Sequence, residues 1–279
     1  MRRMRITAVL STTAATAAVI ATAATAATII DDDGGHVLRG TADNDTITAN
    51  GGRDRVFAYA GNDIVDAGAG RDRVRAGLGN DTVAGGTGND LVNGAGGNDL
   101  IGGGQGNDIV FGAAGDDTVN GGPNHDRLFG GHGNDTVNGD GGHDLVSGGT
   151  GDDVEHGGAR GDRMFANAGV DELFGDGGND QLWALARADV NTSNGPDTTA
   201  DTVHGGDGND TIHTRDGEAD KIDCGAGHDH ALLDQQDVIV DATAGNPNGS
   251  CEVVTRADPK SQDNNTENAQ QSPSDGDQH

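Results

Sequence analysis

Aspartate recurs at every ninth position from Asp45 through Asp54, Asp63, Asp72, Asp81, Asp90, Asp99, Asp108, Asp117, Asp126, Asp135, Asp144, Asp153, Asp162 and Asp171 to Asp180, without a miss. A meter of that length defines a structural unit of nine residues. Such a unit is too short to bury a core alone, so successive units must stack on one another. Two residues after each of these aspartates stands an apolar side chain, from Ile47 and Val56 to Leu173 and Leu182, and only Glu155 breaks the column. Two residues before the aspartate glycine is the rule, with Asp43, Asn124 and Arg160 as the exceptions.

The unit is therefore Gly-Gly-x-Gly-x-Asp-x-apolar-x, complete at residues 85–93, 103–111, 130–138 and, after an interruption, 205–213. Composition alone points to disorder, because Leu, Ile, Val and Phe make up about 17% of 279 residues and the formal charge is -29. The register overrides that reading. One inward apolar side chain per nine residues is too little burial to offset the backbone entropy of ordering them, and stacked carboxylates repel one another. A cation has to complete such a structure. Carboxylate and carbonyl oxygens are hard ligands that suit calcium, and folding and metal binding then become one equilibrium. Glycine in the turn supplies backbone angles of positive φ, and the Asn that precedes the aspartate at 62, 80, 89, 98, 107, 134, 179 and 209 fits a left-handed turn position.

This unit resembles the RTX, or haemolysin-type, calcium-binding nonapeptide repeat, over residues 40–183 and 197–232. The resemblance implies an all-β fold: a parallel β-roll, that is, a right-handed β-solenoid with two nonapeptides per coil. Six-residue turns would alternate with three-residue strands, with several Ca2+ ions lodged between successive turns. Carried onto this chain, the ligands it implies are the carboxylates of Asp63, Asp81, Asp90, Asp99, Asp108, Asp117, Asp135, Asp144, Asp153, Asp180, Asp210 and Asp229. The glycine carbonyls of the turns join them, at Gly86, Gly88, Gly104, Gly106, Gly131, Gly133, Gly149, Gly151, Gly206 and Gly208. Turns at Asp45, Asp126, Asp162 and Asp171 depart from the glycine pattern. Arg53, Arg55, Arg71 and Arg73 flank Asp54 and Asp72, where an ion pair is expected to replace the cation.

With two units per coil, residues 18 apart stack on one face. All five Phe and Trp183 occupy the last position of the unit, and all but Phe174 share a face with Arg55, Arg73, Arg127 and Arg163. This aromatic and arginine face, with Phe111, Phe129, Phe165 and Trp183, is expected to be covered by the chain itself or to meet a glycan, a cell-wall polymer or another copy. His125 and His143 sit just before their aspartates and read as stand-ins for Asn.

The start of the chain, with Arg2, Arg3 and Arg5, an apolar stretch diluted by Thr, and Ala-Thr-Ala at 21–23 and 24–26, reads as a secretory signal peptide over 1–26. Its removal leaves 14 basic against 46 acidic residues and no membrane span, so the mature chain is expected to be extracellular and to repel nucleic acid. A short segment, 27–39, precedes the roll at 40–183. An insertion loop at 184–200 breaks the register, and final repeats with a cap occupy 201–256. In an oxidising compartment Cys224 and Cys251 are expected to pair as a disulfide closing that cap. Residues 257–279 carry no apolar period and read as a disordered tail.

Reaction chemistry leaves no mark: neither an HExxH helix nor a GxSxG elbow is present, and little chain remains outside the repeat. The expectation is a non-enzymatic, secreted calcium-binding module. The alternatives are adhesion or oligomerisation through the aromatic face, or an accessory to an extracellular enzyme.

Overall fold

The computed structural model describes residues 7–9, 26–184, 200–243, 245–246 and 248–257. The leader expected over 1–26, the insertion of 184–200 and the tail of 257–279 lie almost wholly outside them. Among the described residues every regular element is a strand and every strand pairing is parallel. Successive units alternate between two sheets: Thr82–Thr87 lies in one, Leu91–Gly96 in the other, and Leu100–Gln105 returns to the first. Val83 pairs with Ile101 and Val92 with Val110, so partners are 18 apart and each coil spends two units, as the resemblance implied. The chain is a parallel β-solenoid of about 11 turns.

Many strands are longer than three residues. In most units the ladder runs on through the first half of the expected turn, giving six-residue strands such as Ile109–Ala114 and Arg127–His132. Glycine there keeps the ladder pairable even at positive φ, as at Gly104 and Gly131, and only the three residues ending at the aspartate remain as the corner. The roll also starts ahead of the repeat, because Thr28–Ile30 pairs with Thr46–Thr48 and Val37–Arg39 with Arg55–Phe57.

Strand alternation turns three positions of each unit inward: the aspartate, the apolar residue two later and the residue four later. The second of these forms one continuous core from Ile29 and Ile47 to Ile222 and Ile239. The third is Ala49, Ala58, Ala67 and Ala76 in the first coils and mostly glycine afterwards, so the early coils carry extra apolar filling. The interruption costs the stack nothing: Glu172 pairs with Thr202 and Gln181 with Thr211, so the register resumes with partners 30 apart. At the C-terminal end Val238–Ile239 and Val253–Arg256 add the last strands, and the Cys224–Cys251 disulfide ties the end of Lys221–Asp223 to the start of Val253–Arg256 across a separation of 27. Closing a loop of that size stabilises the cap by roughly 3–4 kcal/mol in the chain-entropy model.

The aromatic face divides. Phe165 and Trp183 stack at 4.8 Å and are buried, with Arg163 over the indole, although their positions point out of the sheet. Phe111 and Phe129 stack at 5.0 Å and remain half-buried.

Glycine is indispensable where one coil's carbonyl meets the next coil's Cα. Gly106 has φ of 141°, and a Cβ there would lie 1.4 Å from the Gly88 carbonyl oxygen, whereas a Cβ on Gly102 would meet nothing within 4 Å. Gly106→Ala should therefore destabilise the calcium-loaded roll by at least about 2 kcal/mol in denaturant titrations, and Gly102→Ala should leave it within about 0.5 kcal/mol. Phe165→Ser should cost about 3 kcal/mol or more in the same assay, and Phe129→Ser less than half of that.

Candidate metal centre

Every aspartate of the series is buried, since alternation places it on the same side of the strand as the core. A buried carboxylate must find partners, and one of its oxygens does so in a repeating way. The backbone N–H of each aspartate donates to Oδ1 of the aspartate one coil further on: Asp63 to Asp81, Asp81 to Asp99 and onward in one sheet, Asp72 to Asp90, Asp90 to Asp108 and onward in the other. The bonds are 2.7–2.9 Å long and continue through the insertion, from Asp171 to Asp201 and from Asp180 to Asp210. Both ladders begin and end on other groups. Ala27 and His36 donate at the start, to Asp45 and Asp54, while Asp237 and Glu252 supply the last acceptors, to the N–H groups of Asp220 and Asp229.

The second oxygen is left over. Oδ2 is buried without a hydrogen-bond partner at Asp54, Asp63, Asp72, Asp81, Asp90, Asp99, Asp108, Asp117, Asp126, Asp135, Asp144, Asp153, Asp162, Asp180, Asp210, Asp220 and Asp229. It sits against the first glycine of its own turn, together with the carbonyl oxygen of the first glycine one coil on. A Cβ on Gly112 would lie 2.4 Å from Asp117 Oδ2 and 2.7 Å from the Gly130 carbonyl oxygen, and the pattern repeats at Gly103, Gly121 and Gly130. These are cradles of hard oxygens closed by no side chain. In the first coils the methyls of Ala58, Ala67 and Ala76 occupy the corresponding place beside Asp63, Asp72 and Asp81, which sets those aspartates apart.

Burial raises the carboxyls far above the ordinary 3.8. The N–H each one accepts opposes the rise, and nearby like charges add to it, in most cases the aspartates one coil above or below but Asp116 for Asp117 and Asp140 for Asp144. Asp90, Asp99, Asp135 and Asp180 are pushed to about 7, Asp126, Asp153 and Asp162 to about 8, and Asp117, Asp144 and Asp210 to about 6. Such a group wants a proton or a metal ion. One unpartnered carboxylate oxygen beside one carbonyl oxygen, repeated at close intervals, fits calcium, which takes six to eight oxygens and tolerates irregular geometry.

Most expected ligands fall into this frame. Asp90, Asp99, Asp108, Asp117, Asp135, Asp144, Asp153, Asp180 and Asp210 lie in glycine-lined cradles. Gly86, Gly88, Gly104, Gly106, Gly131, Gly133, Gly149, Gly151, Gly206 and Gly208 all have positive φ, in the corner or just ahead of it, and their carbonyls stack in files, Gly88 against Gly106 and Gly131 against Gly149. Of the turns lacking the glycine pattern, Asp126 and Asp162 keep the common geometry. Asp45 does not, because Thr41 donates its N–H to Oδ2 and its hydroxyl to Oδ1.

Two expectations are corrected. Arg53, Arg55, Arg71 and Arg73 form no ion pair with Asp54 or Asp72: alternation sends residues next to a buried aspartate outward, and all four arginines are exposed. The Asn before the aspartate is not left-handed either, for positive φ among non-glycine residues falls elsewhere, at Tyr59, Ala95, Ala113 and Asn124 among others. Its side chain builds a further ladder. Asn62 Oδ1 accepts the N–H of Asn80, Asn80 that of Asn98, and Asn98 that of Asp116. His125 takes the same part, accepting the N–H of His143 on Nδ1 at 2.8 Å while its own N–H donates to Asn107. At the N-terminal end Asp31, Asp32 and His36 converge, with His36 Nδ1 2.8 Å from Asp31 Oδ2.

A family model described as the RTX calcium-binding nonapeptide repeat (4 copies) matches residues 39–74, 66–101, 75–110, 97–128, 120–155, 156–189 and 197–231. No curated protein matches the chain.

The raised carboxyls fix the sign of the pH response. Folded values of about 6 to 8 against 3.8 for the free side chain mean that protonation favours the calcium-free roll; this stabilisation is full below about pH 4 and is lost as pH rises through 6 to 8. In calcium-free buffer the β signal in circular dichroism and the thermal midpoint should be higher at pH 5 than at pH 8. In millimolar calcium the order should reverse, because protons then displace the ion.

Proposed function

We propose, on the premise that this chain belongs to the RTX calcium-binding nonapeptide repeat family, that it is a secreted, non-catalytic scaffold whose folding depends on calcium. The observation that carries this reading is the file of buried Oδ2 atoms without partners along both sheets, unbroken from Asp54 to Asp162 and met again at Asp180, Asp210, Asp220 and Asp229. Ionised and unpaired, they oppose folding; bound to calcium, they hold successive coils together. The basic, apolar and small-residue pattern of residues 1–26 and the Cys224–Cys251 bridge support export to an oxidising, calcium-rich medium. At the cell surface or in the medium the roll would present its faces as a binding module, with a glycan or cell-wall polymer as the partner chemistry.

Self-association is a second reading, favoured by the stacked, half-buried pair Phe111 and Phe129 on the outer side of one sheet. Sedimentation in calcium distinguishes the two: a monomer supports the scaffold, and a dimer lost on Phe129→Ser supports association.

A calcium titration followed by circular dichroism should convert an unfolded chain to β structure cooperatively at pH 7.5, with no response to magnesium at the same concentration. An ordered spectrum in excess chelator would overturn the reading. Asp108→Asn keeps an oxygen to accept the Asp90 N–H but removes the charge, so it should raise the calcium midpoint several-fold while leaving the spectrum at saturation unchanged.

A further inference from the structure

Glu155 stands where the other units carry Val, Ile, Leu, Met or, once, Ala. It is paired in register with Val137 on one side and Leu173 on the other, and it is fully buried. Neither carboxylate oxygen has a hydrogen-bond partner, and the Gly148 N–H, though close enough to favour the charged form, does not reach bonding geometry. Among the described residues no basic side chain pairs with it, and the charges it feels are Asp153, Asp201 and Asp135. A lone buried carboxylate among like charges is strongly unfavourable.

The side chain points into the cradle of Asp153. A Cβ on Gly148 would lie 2.4 Å from Asp153 Oδ2 and 2.5 Å from Glu155 Oε1. At the neighbouring cradles of Gly130 and Gly139 the corresponding partner of the aspartate oxygen is a carbonyl, that of Gly148 and Gly157. Here a second carboxylate takes that place. The ordinary cradle brings one negative charge, and this one brings two, which together balance a divalent cation.

We propose that Asp153 and Glu155 form a distinct internal divalent-cation site, with Gly148 leaving the room for it, and that this site takes calcium before the single-carboxylate cradles do. It rests on the reading that the roll holds calcium. The site sits near the middle of the stack, two coils ahead of the insertion, so an ion held there would fix the register between the coil of Asp135 and that of Asp171 before the weaker cradles fill.

The test is calcium counting by equilibrium dialysis and elemental analysis on the full chain, at free calcium low enough to leave weak sites empty. Wild type is compared with Glu155→Gln and with Glu155→Leu, which restores the apolar column and guards against a simple failure to fold. The expected result is one fewer tightly held ion in both variants and a first binding phase shifted by at least about tenfold, with the Leu variant showing the full β spectrum at saturating calcium. Unchanged number and affinity in the Leu variant would overturn the inference and make Glu155 a protonated core residue, while leaving the calcium-binding reading intact. A wild-type chain that holds no calcium at all would overturn both.

Discussion

The structure depends on one hydrogen bond made over and over: an aspartate backbone N–H donating to the carboxylate of the aspartate a full coil later. It decides three things at once. It draws the carboxylate into the wall of the roll, where its solvation is lost; it uses up one oxygen; and it aims the other at the inside of the turn. The residue that would be a liability in any apolar core becomes a strut with a free end. Because each strut spans two coils, no unit can take this geometry without its neighbour, and folding is cooperative along the stack for a local reason.

The roll is not uniform along its length. Near its start the inner corner is filled by the methyls of Ala58, Ala67 and Ala76, and the N-terminal strand pairs add Ile29 and Leu38 to the core. Further on, glycine opens the same corner and the apolar contribution per coil shrinks. Hydrophobic packing therefore contributes more to the first coils than to the later ones, where buried carboxylate and carbonyl oxygens line the same corner. The C-terminal end returns to conventional means: a disulfide, the Glu252 acceptor, and Arg256 donating to the carbonyls of Asp234 and Asp237.

Much of this was legible in the residues. The nine-residue meter announced the stack, the apolar column announced which side faces in, and the resumption of both after the interruption announced that the stack continues. What stayed hidden follows from physics that a repeat pattern does not encode. That Asn and His side chains would bridge coils, in place of adopting left-handed angles, depends on the 18-residue neighbour and not on the local turn. The arginines beside Asp54 and Asp72 looked like ion-pair partners because adjacency in sequence was mistaken for adjacency in space, while alternation in a strand separates such neighbours to opposite sides. Glu155 was visible as the one break in its column, but its meaning required seeing that its side chain reaches the Asp153 cradle.

The struts have a direction, since each coil donates from its backbone and accepts on its carboxylate. One end of the stack must be finished with N–H groups, as Ala27 and His36 do, and the other with carboxylates, as Asp237 and Glu252 do. Any coil in between presents the same two faces as any other. Length is thus a free variable of this architecture: duplication or loss of 18 residues in frame would lengthen or shorten the rod by about 4.8 Å and alter its number of carboxylate cradles without disturbing either terminus. A gene encoding such a chain can drift in copy number and still specify a finished molecule.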